Sequence, residues 1–328
     1  MRYFIFFIVL LLASPAHANP EAWLMFLGGG AGGGGGEECE MYPRYWYCRN
    51  NAANSVKYSV TCDDPDYFNY PLDGDTTGTL CTSVYVRPGT YPSDVYYLDG
   101  SANLRKTDED GSGNSLVPMP SGKAGGATAV AVTASGDLYL ATNGGSPNYY
   151  GEIWFLAAGD DPSSDWVEFR YKRGATFGWN RFFSGLAIGL SGTVYAVSKN
   201  AYSGYGAIWH HESGTDYFEM YTATEGSFWD RRPFLGISVN PSNGDVWAVE
   251  ANEVNDINGG VWKNQTRILT GQGDLHGVVA GPDGTVYIAK NNSGIHKLDG
   301  DENGMTKVYD DATTFLFHMS VSLDSGYY

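Results

Sequence analysis

From residue 126 onward the chain repeats one phrase, and that repetition constrains its fold more than any other feature. Four segments align on a glycine followed three positions later by an aromatic: Ala127 to Gly144, Ser184 to Ala201, Leu235 to Glu253 and His276 to Ser293. The anchoring glycines are Gly136, Gly192, Gly244 and Gly284. A further copy opens at Phe317 with Gly326 in the anchor position, and a weaker one precedes the series at Thr82 to Gly100. From Gly136 onward the anchors stand 56, 52, 40 and 42 residues apart, the spacing of a four-stranded propeller blade with variable loops.

Each copy reads as a meander. An apolar run such as Leu186-Ala187-Ile188 enters a tight Ser-Gly or Asp-Gly turn, and a strand of aromatic and β-branched residues (Thr193 to Val197) leaves it. Third strands begin at Gly151, Ala207, Gly260 and Gly294, and fourth strands at Trp166, Tyr217, Thr266 and Met305. Such a meander is apolar on both faces and cannot bury itself alone, so it stacks on copies of itself around an axis. The expectation is an all-β propeller with very little helix. Blades are expected at about 82–120, 126–172, 183–222, 234–269 and 275–310, with a partial one at 315–328. Six blades is the count this predicts, with five or seven as alternatives. A partial blade would expose a sheet edge. Residues from 38–62, for example Ser55 to Cys62, are therefore expected to supply the missing strands and clasp the ring.

Ahead of the repeats the chain reads as three segments. Residues 1–18 have a positive start, an apolar run from Tyr3 to Ala13 and a small-x-small site at Ala16-His17-Ala18, the pattern of a secretory signal peptide. Residues 19–37 form a Gly-rich spacer, too short in its apolar part to span a bilayer. Residues 38–81 hold all four cysteines, Cys39, Cys48, Cys62 and Cys81, and residues 82–328 form the propeller. Behind a signal peptide four cysteines read as two disulfides with three possible pairings. The alternative is a thiolate metal site, against which the intervals of 8, 13 and 18 residues stand. The net charge of −17 and the absence of any Lys/Arg run exclude a nucleic-acid partner. No later apolar run is long enough for a transmembrane segment in the mature chain, and the localisation expected is secreted, periplasmic or extracellular.

The copy at Gly277 to Ala289, Gly-Val-Val-Ala-Gly-Pro-Asp-Gly-Thr-Val-Tyr-Ile-Ala, resembles the NHL, gluconolactonase and streptogramin-lyase group of β-propellers. The resemblance covers roughly residues 126–328. It implies the blade and says little of chemistry, because those relatives include lactonases, lyases and pure binding rings. The gluconolactonase-like metal set would need Asn ahead of the blade glycine and Asp at the end of a second strand. Here Thr128, Ser184, Leu235 and His276 stand at the first position, and Thr142, Ser198, Glu250 and Lys290 at the second. His276-Gly277 matches the start of the lyase pattern, but Lys290 stands where an acidic ligand would be.

Loops between strands 2 and 3 and between strand 4 and the next strand 1 emerge on one face, so the candidate residues are taken from them. Asn200, Asn252 and Asn292 recur eight residues past their anchors, which suits either a left-handed turn position or a ring of amides at the channel mouth. Trp179-Asn180-Arg181 and Trp229-Asp230-Arg231 nearly duplicate each other, and they combine a flat apolar face with planar polar groups suited to a sugar. The equivalent loop of the next blade carries Asp274, and Glu250 and Lys290 on adjacent blades are expected to be able to pair. His276 and His318 are expected as neighbours near the axis. They form the alternative catalytic pair, with Glu250 as the alternative metal ligand. The function this predicts is a non-catalytic binding module for a glycan or extracellular protein, with no cofactor. The alternative is a divergent metal-dependent lactonase or lyase using a divalent cation such as Ca2+.

Overall fold

The glycine that anchors each repeat closes a hairpin. Gly136, Gly192, Gly244 and Gly284 all have positive φ, from 77° to 98°, a backbone region that costs other residues a steric penalty. Each therefore turns an inner strand back into the aromatic strand that follows. The computed structural model describes residues 44–49, 54–60, 65–71, 83–88, 94–108, 113–143, 151–171, 181–200, 206–211, 217–223, 233–251, 259–291, 293–309 and 316–322. All fall within the unit Cys39–Tyr327.

Among the described residues, twenty-four strands are numbered in chain order. The first three are β1 (Arg44–Arg49), β2 (Asn54–Val60) and β3 (Pro65–Pro71). They are followed by β4 (Ser83–Val86), β5 (Asp94–Leu98), β6 (Leu104–Asp108) and β7 (Ser115–Leu116). Next come β8 (Ala127–Val132), β9 (Leu138–Asn143), β10 (Gly151–Leu156) and β11 (Val167–Tyr171). Then come β12 (Arg181–Ile188), β13 (Val194–Asn200), β14 (Gly206–His211) and β15 (Tyr217–Ala223). These lead to β16 (Phe234–Val239), β17 (Val246–Glu250), β18 (Gly260–Lys263) and β19 (Thr266–Leu269). The last are β20 (Leu275–Ala280), β21 (Val286–Lys290), β22 (Gly294–Leu298), β23 (Met305–Tyr309) and β24 (Leu316–Ser322).

The strands form a β-propeller of four-stranded antiparallel meanders. Among the described residues the separate hydrogen-bonded sheets number five, which corrects the expected six. The reason lies at the outer edge. Strands β11 and β15 pair in parallel, Arg170 opposite Tyr217 and Tyr171 opposite Phe218, and this joins β8–β11 to β12–β15 as one eight-stranded sheet. The C-terminal strand β24 stands first in the order β24-β1-β2-β3, so the N-terminal strands complete the sheet that β24 begins. The pairing runs from Arg44 opposite Ser322 to Arg49 opposite Leu316. The cysteine side chains lie outside what the structure describes.

Inner strands pack in sequence around the axis, β4 on β8, β8 on β12, β12 on β16, β16 on β20, β20 on β24 and β24 on β4. A Cβ on Gly236 would lie 2.8 Å from the His276 carbonyl oxygen and 2.9 Å from the Gly277 Cα. The repeated blade glycine is thus required because the next inner backbone comes that close. Hydroxyls then tie neighbouring inner strands together. The Val86 amide donates to Ser320 Oγ and the Ala280 amide to Ser238 Oγ, each at 3.0 Å. The Val130 amide donates to Ser83 Oγ at 3.3 Å. Tyr85 reaches farther, from β4 to β12, where its hydroxyl accepts from the Ile188 amide, and burial pushes its phenol far above the ordinary tyrosine range. The strands between hub and perimeter carry the core, with Ile208, Val249, Val261 and Ile288 each 0 % exposed.

Candidate functional site at one end of the inner strands

The end of the ring where inner strands begin and second strands finish is built by one repeated backbone contact. The Asn143 amide donates to the Gly126 carbonyl at 2.8 Å, that of Ala251 to Pro233 at 3.0 Å, and that of Asn291 to Asp274 at 2.9 Å. Each closes the connector entering a first strand against the end of the second strand. Loops 2–3 and 4–1 leave from here, so the side chains at these positions form the base from which those loops rise.

Asp274, His276 and Asn291 are brought together. His276 Nε2 lies 3.0 Å from Asp274 Oδ2, and Asn291 Nδ2 donates to the same oxygen at 2.8 Å. Burial pushes the Asp274 carboxyl up. The His276 imidazole and the Asn291 amide outweigh this and hold it below the ordinary carboxylate range. A carboxylate on one ring nitrogen fixes the imidazole's orientation.

Glu250 is fully buried at the end of β17. It forms an ion pair with Arg267 on β19 and accepts from Trp262 Nε1 at 2.8 Å. Gly260 leaves the room: a Cβ there would meet both Glu250 Oε1 and the Arg267 guanidinium. This corrects the expected pairing of Glu250 with Lys290. Arg267 reaches Glu250 from within the same sheet, along the face that Trp262 shares.

The same architecture recurs with different chemistry. Trp154 Nε1 donates to Glu152 Oε2 at 3.1 Å, Thr142 Oγ1 donates to that oxygen at 3.3 Å, and Lys123 Nζ pairs with it at 2.5 Å. Trp209 Nε1 donates to Ser198 Oγ at 2.9 Å. Trp154, Trp209 and Trp262 lie opposite Leu140, Ala196 and Ala248, which occupy one register position of the second strand. In the next sheet His296 takes that place opposite Ile288, and its Nε2 lies 3.0 Å from Ser293 Oγ. In four third strands the sequence carries this as a ring residue directly after an Ile or Val: Ile153-Trp154, Ile208-Trp209, Val261-Trp262 and Ile295-His296. That signal marks the indoles as donors, Trp209 and Trp262 to the end of the second strand and Trp154 to Glu152 of its own strand, and Lys123, Arg267 and Asn291 are the partners it does not reveal.

Other candidate residues are placed by backbone alone. Arg181 begins β12 opposite Asn200, which ends β13. His318 lies on β24, the inner strand that packs on β20, so it stands on the strand next to His276. The side chains of Arg181, Asn200 and His318 lie outside the description. Trp179, Asn180, Trp229, Asp230, Arg231, Asn252 and Asn292 lie outside the described residues altogether. Among the described residues no group of three or more His, Cys, Asp and Glu is placed to hold a metal ion.

The chain matches no protein-family model and no curated protein sequence. Its fold is that of known propellers. A chain of the nidogen/laminin complex superposes with a TM-score of 0.63 at 9% identity, covering 85% of this chain and 98% of that one. TolB from Acinetobacter baumannii gives 0.57 at 12% identity, covering 86% and 67%. A glucose dehydrogenase gives 0.53 at 12% identity, covering 73% and 90%. At these identities the likeness is one of fold.

Proposed function

We propose that this is a secreted β-propeller that binds a glycan or an extracellular protein through the loops rising from the end of the ring just described, without catalysing a reaction. One observation carries the reading. The described acids at this end are already engaged: Glu250 with Arg267 and Trp262, Glu152 with Lys123 and Trp154, Asp274 with His276 and Asn291. Satisfied polar groups of this kind make a rigid base, and the loops it holds carry Trp179, Asn180, Arg181, Trp229, Asp230 and Arg231. Those loops combine flat apolar faces with planar bidentate groups, the equipment of sugar and polar-surface recognition. The signal-like start of the chain supports the compartment. The Gly277 to Ala289 phrase supports kinship with the NHL-like propellers.

Alanine at both Trp179 and Trp229 tests the site. The expected result is loss of glycan-array or pull-down binding with an unchanged melting temperature. Binding that survives both substitutions overturns the reading.

A second reading has one observation in its favour, the carboxylate of Asp274 on the His276 imidazole. In that reading the protein is a divergent metal-dependent lactonase or lyase using His276 and His318. Glu250, closed in by Arg267 and Trp262, is poorly disposed to bind a cation such as Ca2+. Metal analysis that finds no divalent ion, together with lactone turnover unaffected by His276→Ala, removes it.

A further inference from the structure

Two junctions of the ring carry the same arrangement of a lysine, a ring and an acid, and one of them is left open. In the sheet β16–β19, Trp247 lies opposite Lys263, whose Nζ stands 5.2 Å from the ring centroid and 3.5 Å from Asp245, two residues ahead of that tryptophan. In the sheet β4–β7, Tyr96 lies opposite Lys106, whose Nζ stands 5.8 Å from the ring centroid and 2.9 Å from Asp94, two residues ahead of that tyrosine.

The turns that face them from the next sheet also match. Glu302 stands four residues beyond Leu298, the last of β22, and Asp160 four beyond Leu156, the last of β10. In each turn the acid's amide donates to the carbonyl three residues back, Glu302 to Asp299 at 2.9 Å and Asp160 to Ala157 at 3.1 Å. The outcome differs. Lys263 Nζ meets Glu302 Oε1 at 2.7 Å and joins its sheet to the next. Asp160 is one methylene shorter, and among the described residues no acid of the next sheet pairs with Lys106.

A groove of about 340 Å³ stands where that ion pair would be, within the size range of small-molecule sites. Arg87, Tyr96 and Lys106 line it from one sheet, and Leu138, Leu156 and Asp160 from the other. Arg87 holds the place that Asn240 has in the closed junction, its amide donating to the Asp94 carbonyl as that of Asn240 does to Asp245, each at 2.8 Å. Arg87 Nη1 also reaches Asp94 Oδ2 at 3.3 Å, so two cations share one carboxylate here. Asp137, in the adjoining turn, is taken up by Thr133, Ser135 and the Ala158 amide.

We infer that this groove binds a small hydroxylated carboxylate of the uronic-acid type, whose carboxylate takes on Lys106 the place that Glu302 takes on Lys263. Lys263 shows that one ammonium serves its own sheet's acid and a second carboxylate together. Charge-assisted contacts of this kind are about twice as strong as neutral ones. Leu138 and Leu156 meet the body of the ligand, and Asp160, exposed on the facing wall, accepts from a hydroxyl. The groove lies at the hairpin end of the strands, opposite the end from which the loops of the proposed glycan or protein site rise. Its failure therefore leaves that reading untouched.

Calorimetric titration of the full chain with D-glucuronate tests the site, with D-glucose as the uncharged counterpart. Saturable binding of glucuronate is expected, with glucose about tenfold weaker or more. Lys106→Met keeps the packing and removes the charge, and it weakens glucuronate about tenfold or more. Asp160→Glu supplies the missing methylene, so the chain's own carboxylate reaches Lys106 and glucuronate binding is lost while the melting temperature holds or rises. No saturation by glucuronate at millimolar concentration, equal affinity for glucose, or full affinity in either variant overturns the assignment.

Discussion

Two neighbouring junctions of the ring are held in different ways. Between β16–β19 and β20–β23 the contact is made at the hub. Gly236 lets two backbones approach, Ser238 takes the Ala280 amide, and Val249, Leu275, Val278 and Ile288 fill the space outward. Between β8–β11 and β12–β15 the hub is lined by Ala129 and Ala131, and the contact widens into aromatic rings. Phe169 lies 5.5 Å from Phe155, 6.1 Å from Tyr139 and 4.5 Å from the His211 ring. Burial pushes the Tyr139 phenol up to about 12. At that perimeter β11 and β15 pair. The small residues at the blade position, Ala129, Gly185, Gly236 and Gly277, set the spacing at the hub, and unique residues on third and fourth strands decide what happens at the rim.

The aromatic junction breaks most severely. Phe218 is 1 % exposed and packs on both Phe169 and His211, so Phe218→Ala costs about 3–5 kcal/mol in denaturant unfolding. Amides of β11 and β15 lose protection with it. If they keep it, the rings are not what holds those edges together.

At the other junction Gly236→Ala costs about 2 kcal/mol, since backbone atoms block the new methyl group. Gly185→Ala costs less. Its nearest obstacles are the Val197 and Ile237 methyls, at 3.0 and 3.3 Å, which can give way. Equal costs at the two glycines would break the distinction. Ser238→Ala leaves the Ala280 amide without its acceptor and costs about 1 kcal/mol, seen as faster exchange of that one amide.

The smallest effect is at Asp274, in the connector between those two sheets. Its carboxyl is held below the ordinary carboxylate value in the folded chain, so its stabilisation is complete above that ordinary value and fades as pH falls through the folded one. The stability difference between the unaltered chain and Asp274→Asn therefore shrinks as pH falls below the ordinary carboxylate value of about 4. A difference that grows with acid would mean the imidazole does not hold the carboxylate.

The parts of the fold legible in the sequence were those under a repeated constraint. The positive-φ turns at Gly136, Gly192, Gly244 and Gly284 and the inner glycines at Gly185, Gly236 and Gly277 recur because the same geometry recurs. The need for N-terminal strands to finish the last sheet was legible too, from an unpaired edge. The joining of two sheets was not, because Arg170, Tyr171, Tyr217 and Phe218 carry no repeat and the pairing depends on how far two perimeters splay. At the candidate site the sequence marked Asp274, His276 and Glu250 by chemical type. It did not mark their partners: Arg267 stands a strand away from its neighbour in space, and Asn291 next to a more regular asparagine.

The sheet completed by β24 also dictates an order of assembly. Its β1–β3 portion is synthesised before the other sheets and its inner strand after them, with β4–β23 in between. Until β24 emerges, β1 keeps one hydrogen-bonding edge open to any passing strand, so removing Leu316–Ser322 would leave the ring with a sticky gap.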